Sequence, residues 1–214
     1  YVNAGELRNR GIELALSATP FETVGLKWDS RTSFWLNRSK ITELTIPPFA
    51  IGGFGNTLGT FFIEEGKSAT QITGIKGSEG VQVLGDSQPD FQMNFHNFFT
   101  IKQNFTFSFL FHWKKGGDNI NLTELLTDLG GTSPDFDDDD NGNGIPNAEE
   151  RVRALGVSAE PFVQDATYLR LREIGLYYTL PNTLLDGAFG GLVRTLKVGA
   201  SANNLFTITD YKSY

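Results

Sequence analysis

Residues 90–113 read DFQMNFHNFFTIKQNFTFSFLFHW, two runs of alternation joined by a short connection. In the second run Phe105, Phe107, Phe109, Phe111 and Trp113 point one way, and Asn104, Thr106, Ser108 and His112 point the other. The first run sets Phe91, Met93, Phe95, Phe99 and Ile101 against Gln92, Asn94, His96 and Thr100. A period of two places successive side chains on opposite faces of a strand. Two such runs separated only by "KQN" predict an antiparallel hairpin.

The same period recurs on both sides of this hairpin. Ile12, Leu14, Leu16 and Ala18 alternate with Glu13, Ala15, Ser17 and Thr19. Val24, Leu26, Trp28, Phe34 and Leu36 oppose Lys27, Asp29, Arg31, Ser33 and Asn37, a run longer than an ordinary globular strand. Leu192, Leu196, Val198, Ala200 and Ala202 alternate with Thr195, Lys197, Gly199, Ser201 and Asn203. In "ATYLRLREIGLYYTL" the apolar phase slips near Arg172 and Glu173, which predicts a bulge. A further strand pair is expected in "TFFIEEGKSATQITGIKG".

The count is about seven strands, several of them long. Short turns ("ATPFETVG", "KQN", "PNTLLDGAFGG") alternate with long polar excursions, roughly 39–60, 75–89 and 114–165. Short turns at one end and long loops at the other are the layout of a transmembrane β-barrel. Two helices are expected inside the last excursion, "NLTELLTDLG" and "NAEERVRALG", each followed by a glycine able to cap it.

Alternation alone does not say what the apolar face meets. In a sandwich that face is the core, and in a barrel it faces lipid. Strand length favours a barrel, since about 9–11 tilted residues cross a bilayer. Phenylalanine at every second position is also heavy for a sandwich core. Trp35, Trp113, Tyr177 and Tyr178 near strand ends suggest interfacial girdles. A soluble, calcium-stabilised β-sandwich binding domain at a cell surface stays open as the second reading.

Composition removes other classes. The formal net charge is -7, and the stretch 135–150, "DFDDDDNGNGIPNAEE", holds seven carboxylates and no base, so the remainder is neutral. Neither a nucleic-acid footprint nor a basic membrane patch is indicated. The absence of cysteine excludes disulfides, thiol nucleophiles and cysteine zinc sites. No apolar stretch has the length of a membrane helix. No nucleophile–base or paired-carboxylate signature is found, so no enzyme is expected. His96 and His112 fall on polar faces without a ligand partner at a recognisable spacing. "IGGFGNTLG" lacks the strand and helix context of a nucleotide loop and reads as a flexible loop. Lys27, Asp29 and Arg31 read as a charge ladder on one polar face, and Arg170, Arg172 and Glu173 invite the same reading.

The acidic stretch fits a calcium loop, which needs oxygen ligands at positions 1, 3 and 5, glycine at 6, a carbonyl at 7 and a glutamate at 12. With Asp139 first, Asn141, Asn143, Gly144, Ile145, Asn147 and Glu150 fill positions 3, 5, 6, 7, 9 and 12, and Asp137 is available as an extra ligand. The stretch resembles the thrombospondin type 3 repeat, D-x-D-x-D-G-I-P-D, with Asn in place of three acids. Ca2+ is the hard, oxygen-seeking ion such a loop would take. The competing reading is a solvated acidic loop of turn formers.

Five motifs in order resemble SusC/RagA-like TonB-dependent outer-membrane receptors: "NAGELRNRGIELAL", "FFIEEGKSATQITGIKG", "LGDSQPDFQMNFHNFFTIKQNFTFSFLFHWKKGGDNINLT", "VQDATYLRLREIGLYYTLP" and "LKVGASANNLFTITDYKSY". The resemblance implies that residues 1–214 are a C-terminal part of an all-β, antiparallel, 22-stranded transmembrane barrel in a Bacteroidetes-type Gram-negative outer membrane. It implies import of oligosaccharides or peptides with a SusD-like lipoprotein, and energy coupling to TonB through an N-terminal part outside this chain. Loop 114–165 is then extracellular. Two unpaired barrel edges would be untenable in lipid, so the sequence is expected to be one segment of a longer chain.

Overall fold

The computed structural model describes residues 4–212, the side chain of Phe189 excepted. Asn3, where the first motif opens, and residues 213 and 214, where the last one closes, lie outside them. Twelve strands follow in chain order: β1 (Gly5–Glu22), β2 (Leu26–Leu44), β3 (Phe49–Gly53), β4 (Thr60–Ile63), β5 (Gln71–Ile75), β6 (Val81–Asp86), β7 (Phe91–Ile101), β8 (Phe105–Lys115), β9 (Asp118–Ile120), β10 (Val163–Asp165), β11 (Tyr168–Thr179) and β12 (Lys197–Ile208). Helices α1 (Leu122–Leu129) and α2 (Asn147–Ala154) lie between β9 and β10, and α3 (Asn182–Phe189) precedes β12.

Six long strands form a wall in the order β1-β2-β7-β8-β11-β12, every neighbour antiparallel. The expected hairpin is β7–β8, with Phe95 opposite Phe111 and Phe99 opposite Phe107. Its turn forces Lys102 and Gln103 to positive φ, and Asn104 holds the adjoining turn by donating to the Thr179 carbonyl. The slip near Arg172 is a bulge: the register of β11 shifts between Leu171 and Glu173 against both neighbours.

The register separates two faces. Phe95, Phe99, Phe107, Phe109, Phe111, Trp113, Leu169 and Leu176 share one, continued on β1 by Ile12, Leu14 and Leu16. Among the described residues no layer covers it: those three β1 residues are 54, 62 and 68% exposed, and Val198 and Ile208 of β12 are as open. A sandwich would bury this face, and the apolar core lies elsewhere. Ser30, Thr32 and Asn97 interrupt the face. Asn97 is fully buried there and its Oδ1 accepts the Trp28 indole N–H at 2.8 Å. Half of the expected girdle residues fall on the apolar face. Trp113 and Tyr178 stand on the apolar face, but Trp35 and Tyr177 stand on the polar one, opposite Gln92 and Thr106. Tyr177 lies across its neighbours there, so a Cβ added at Gly199 would overlap its ring and the Leu176 carbonyl.

The long excursions are more structured than their polarity suggests. The strand pair expected in residues 60–77 is β4–β5, paired antiparallel; the seven-strand count falls short because β3 and β6 flank this pair to make a four-stranded sheet and β9 pairs with β10. Within the expected flexible loop "IGGFGNTLG", Ile51–Gly53 belong to β3. The connection taken as a short turn, "PNTLLDGAFGG", carries α3. Segments 45–90 and 116–167 meet at the β2–β7 and β8–β11 end of the wall and build a cap. Ile72, Ala159 and Phe162 are fully buried in it, and Ile120 and Leu125 nearly so. The main apolar core is therefore in the cap, while the wall keeps its apolar side outward. No helix among the described residues is long and apolar enough to cross a membrane; barrels cross with strands.

Candidate functional site

The cap holds the acidic stretch between α1 and α2. Asn121 caps α1, its Oδ1 accepting the Glu124 N–H at 3.2 Å. The chain leaves α1 through Gly131, at φ 67, and reverses through Gly142 and Gly144, at φ 70 and 80, where a Cβ would be strained. This reversal brings four of the expected ligands together. Asp139 accepts the backbone N–H groups of Asn143 (3.1 Å) and Gly144 (2.8 Å). Asn141 and Asn143 both donate their side-chain amides to Glu150, the first at 2.8 Å.

Of the other three expected ligands, Ile145 adjoins the four through its N–H, while Asn147 and Asp137 do not join them. Asn147 is turned to Asp140, donating to its Oδ2 at 3.0 Å and accepting its N–H at 3.2 Å. Ile145 donates its N–H to Asn143, and Asp137 makes no hydrogen bond to the four among the described residues. Only two carboxylates converge, and no cluster of three or more His, Asp or Glu suited to a metal ion is present among the described residues. An ion here would depend on Asn141 and Asn143 turning their carbonyl oxygens, rather than their NH2 groups, toward Glu150.

Behind this loop is a group the sequence reading missed. Arg151 of α2 donates to Asp128 from Nε and Nη2, each at 2.7 Å, and to both Asp135 oxygens at 2.9 Å. Lys212 reaches Asp135 at 2.5 Å, and Glu124 lies 3.6 Å from both cations. Glu124 and Asp128 are almost completely buried. Three carboxylates thus share two cations. Burial alone would raise the Asp135 carboxyl, but hydrogen bonds from Arg151 and Lys212 and their charges hold it well below the usual range. Burial dominates at Glu124 and pushes its carboxyl up, because its cations stand farther off and Oε1 lacks a hydrogen bond. Helix α1 inverts its apparent amphipathicity to make this group: Glu124 and Asp128 go inward, and Leu126 and Leu129 are 59 and 61% exposed.

Below the cap, the polar face of the wall presents a second cluster. Trp35 stacks on His112, ring centroids 5.9 Å apart and 10° from parallel. The Tyr168 hydroxyl is 3.2 Å from His112 Nδ1 and Arg170 lies over the Tyr168 ring. The two histidines are not paired with each other. Of the expected charge ladder, Lys27 and Asp29 form an ion pair at 3.2 Å, whereas Arg31 has no carboxylate within ion-pair distance among the described residues. A groove of about 360 Å3 opens where β2 and β7 part, lined by Trp35, Asn37, Gln88 and Gln92 and, from the apolar side, by Leu36 and Phe91. Polar and aromatic groups on a concave surface hold oligomers by stacking and hydrogen bonding.

No family model matches the chain. In sequence it is similar to TonB-dependent receptor P3 of Formosa agariphila, 24% identical over 256 residues that make up 98% of this chain and 25% of that protein. TonB-dependent receptor P26 of the same organism is 24% identical over 258 residues, 98% of this chain and 26% of the relative. Among solved structures, the RagAB peptide transporter superposes with a TM-score of 0.73 at 20% identity, covering 98% of this chain and 26% of that one. The RagAB peptide importer in its closed-closed state gives 0.68 at 18% identity, with 98% and 27% covered. The chain thus spans about a quarter of the length of each relative. The uncovered apolar face, the antiparallel wall and these likenesses agree: the chain is an antiparallel β-barrel segment of the kind in the RagAB transporter, with sequence relatives among the TonB-dependent receptors.

Proposed function

We propose that this chain forms part of the barrel wall and extracellular cap of an outer-membrane, TonB-dependent importer of oligomeric nutrients, peptides or glycans, that works with a SusD-like surface lipoprotein. The observation that carries this reading is the wall itself: six antiparallel strands with an uncovered Phe-rich face on one side and a polar, aromatic face on the other. In lipid the first face needs no partner, and the second lines the passage. Arg170 and Arg172 near Trp35 and Tyr168 suit either carboxylate-bearing peptides or stacked sugar rings. The exposed Leu126 and Leu129 on the cap offer the lipoprotein an apolar contact. Deleting the full receptor should abolish uptake of one oligomer class, and blocking its coupling to TonB should do the same. Unchanged uptake of both peptides and glycans by the deletion strain would refute the reading.

The loop at Asp139, Asn141, Asn143 and Glu150 is proposed to take Ca2+ in the extracellular medium, with Ile145 supplying its carbonyl and Asp137 and Asn147 swinging in as further oxygen ligands. Three carboxylates, one of which must swing in, give a weak site, in the range of about 10⁻⁴–10⁻³ M typical of extracellular modules. Millimolar Ca2+ should slow proteolysis within residues 135–150 several-fold, and Asp139→Ala or Glu150→Ala should remove that protection. Identical cleavage with Ca2+ and with chelator would show that the hydrogen bonds to Glu150 close the loop without an ion.

A further inference from the structure

The outward face of the wall changes character abruptly at its cap end. From Leu7 to Ala18, β1 pairs with β2 without a register shift. Arg8, Arg10, Ile12 and Leu14 therefore share a face with their partners Lys40, Arg38, Leu36 and Phe34. This is the apolar face, and one rung above Ile12–Leu36 it becomes four cations on two consecutive rungs. Like charges directly opposite each other across a ladder are destabilising. Only Arg38 is compensated: it pairs with Asp90 at 3.1 Å and donates to the Pro89 and Asp90 carbonyls. Within this segment, whose wall has β1 at its edge, Arg8, Arg10 and Lys40 are exposed, and no carboxylate of the described residues lies within ion-pair distance of them. Lys115, two residues beyond Trp113 on the same face, extends the row.

We propose that Arg8, Arg10 and Lys40 form a docking site for the phosphate of an anionic glycolipid headgroup in the outer leaflet. The inference rests on the outer-membrane reading above. Cations immediately beyond an apolar band stand at headgroup depth, where each attracts an anionic lipid. The two guanidinium groups match phosphate oxygens in forked geometry, and lysine adds a point charge. The acyl chains of the same lipid would run down Ile12, Leu14, Leu36 and Phe34. The bound phosphate would relieve the opposed like charges, of which Asp90 offsets only Arg38.

The test uses the full receptor containing this segment, in nanodiscs of phosphatidylcholine with or without diphosphoryl lipid A, with binding followed by native mass spectrometry. Arg8→Gln, Arg10→Gln and Lys40→Gln combined should weaken lipid A binding by roughly fivefold per charge, about 100-fold in all. A charge-matched control, Arg31→Gln, Lys102→Gln and Arg194→Gln, removes three cations from the inward face and the turn end and should leave binding unchanged. Brominated phosphatidylcholine in the same discs should quench the outward Trp28 and Trp113. Equal lipid A binding by the triple variant, with quenching intact, overturns the docking site alone. Equal weakening in the control also overturns it, in favour of general charge attraction. Absence of quenching overturns the outer-membrane reading and the docking site with it.

Discussion

Arg151→Met should open the cap at a cost of about 3–5 kcal/mol while leaving the wall folded, because removing one partner of a buried ionic group strands the others. Glu124 and Asp128 are almost completely buried, and Asp135 mostly so. Without Arg151 they would keep only Lys212, and Asp128 would lose both of its close hydrogen bonds. Three buried carboxylates against one lysine cannot stay desolvated, so α1 and α2 should separate and admit water. Hydrogen exchange should report this as loss of protection across residues 121–162, with β7 and β8 unchanged in the full receptor. Glu124→Gln and Asp128→Asn added to Arg151→Met remove the stranded charges and should restore most of the protection. If Arg151→Met exchanges like wild type, the ionic group contributes nothing to the cap.

The pH dependence has two opposed parts. Asp135 has a depressed carboxyl, so its stabilisation is complete above the unfolded value of about 3.9 and is lost as pH falls toward the folded one. Glu124 has a raised carboxyl, so its contribution is present below its unfolded value, about 4.3, and is lost as pH rises through the folded one. Cap protection should therefore increase on acidification from neutral pH and then fall below about 3.9, where the unfolded Asp135 carboxyl takes up protons before the folded one. Glu124→Gln should flatten the first limb and leave the second.

How much of this was legible in the sequence depends on the range of the interaction. The β7–β8 hairpin was legible because phenylalanines at period two carry their own evidence, and the Arg172 bulge because a phase slip is local. The β4–β5 pair was legible as well, but β3 and β6 were not, since five or six residues interrupted by glycine give too short a run for a period to show. The faces of α1 were misleading. Leu125, Leu126 and Leu129 mark an apolar stripe, yet Glu124 and Asp128 are buried because Arg151, 23 residues beyond Asp128, reaches them. Asp135 looked like a member of the acidic loop and belongs to that group instead. At the candidate calcium loop, the turn and the convergence of Asp139, Asn141, Asn143 and Glu150 follow from the spacing. The diversion of Asn147 to Asp140 does not, because Asn147 also opens α2 and is held by the Asp138 carbonyl. The outward placement of Trp113 and the inward placement of Trp35 needed the register.

Phe109→Arg should be the most damaging single substitution in the wall. Phe109 lies at the middle of β8, opposite Asn97 and Ile174, on the uncovered face. At the midplane of a bilayer an arginine on the lipid side of a barrel costs about 2–4 kcal/mol, and nearer the rim the cost falls to about 0–1 kcal/mol. Phe109 also packs on Phe95, Phe99, Phe107 and Phe111, so the lost ring contacts must be separated from the charge. Phe109→Ala supplies that reference, since lipid chains fill the space and only the ring contacts are lost. The difference between the two variants is then the charge in lipid. His96→Arg places the same side chain at similar depth on the opposite, polar face, where His96 is half-buried beside Phe98. It should cost far less, because water reaches that side of a barrel. Assembly of the full receptor into vesicles, followed by heat-modifiable migration and denaturant titration, reads all three variants. An ordering with Phe109→Arg well below Phe109→Ala and His96→Arg near wild type assigns the Phe-rich face to lipid. Equal damage on both faces would mean that both are packed against protein, and the wall would then be half of a sandwich after all.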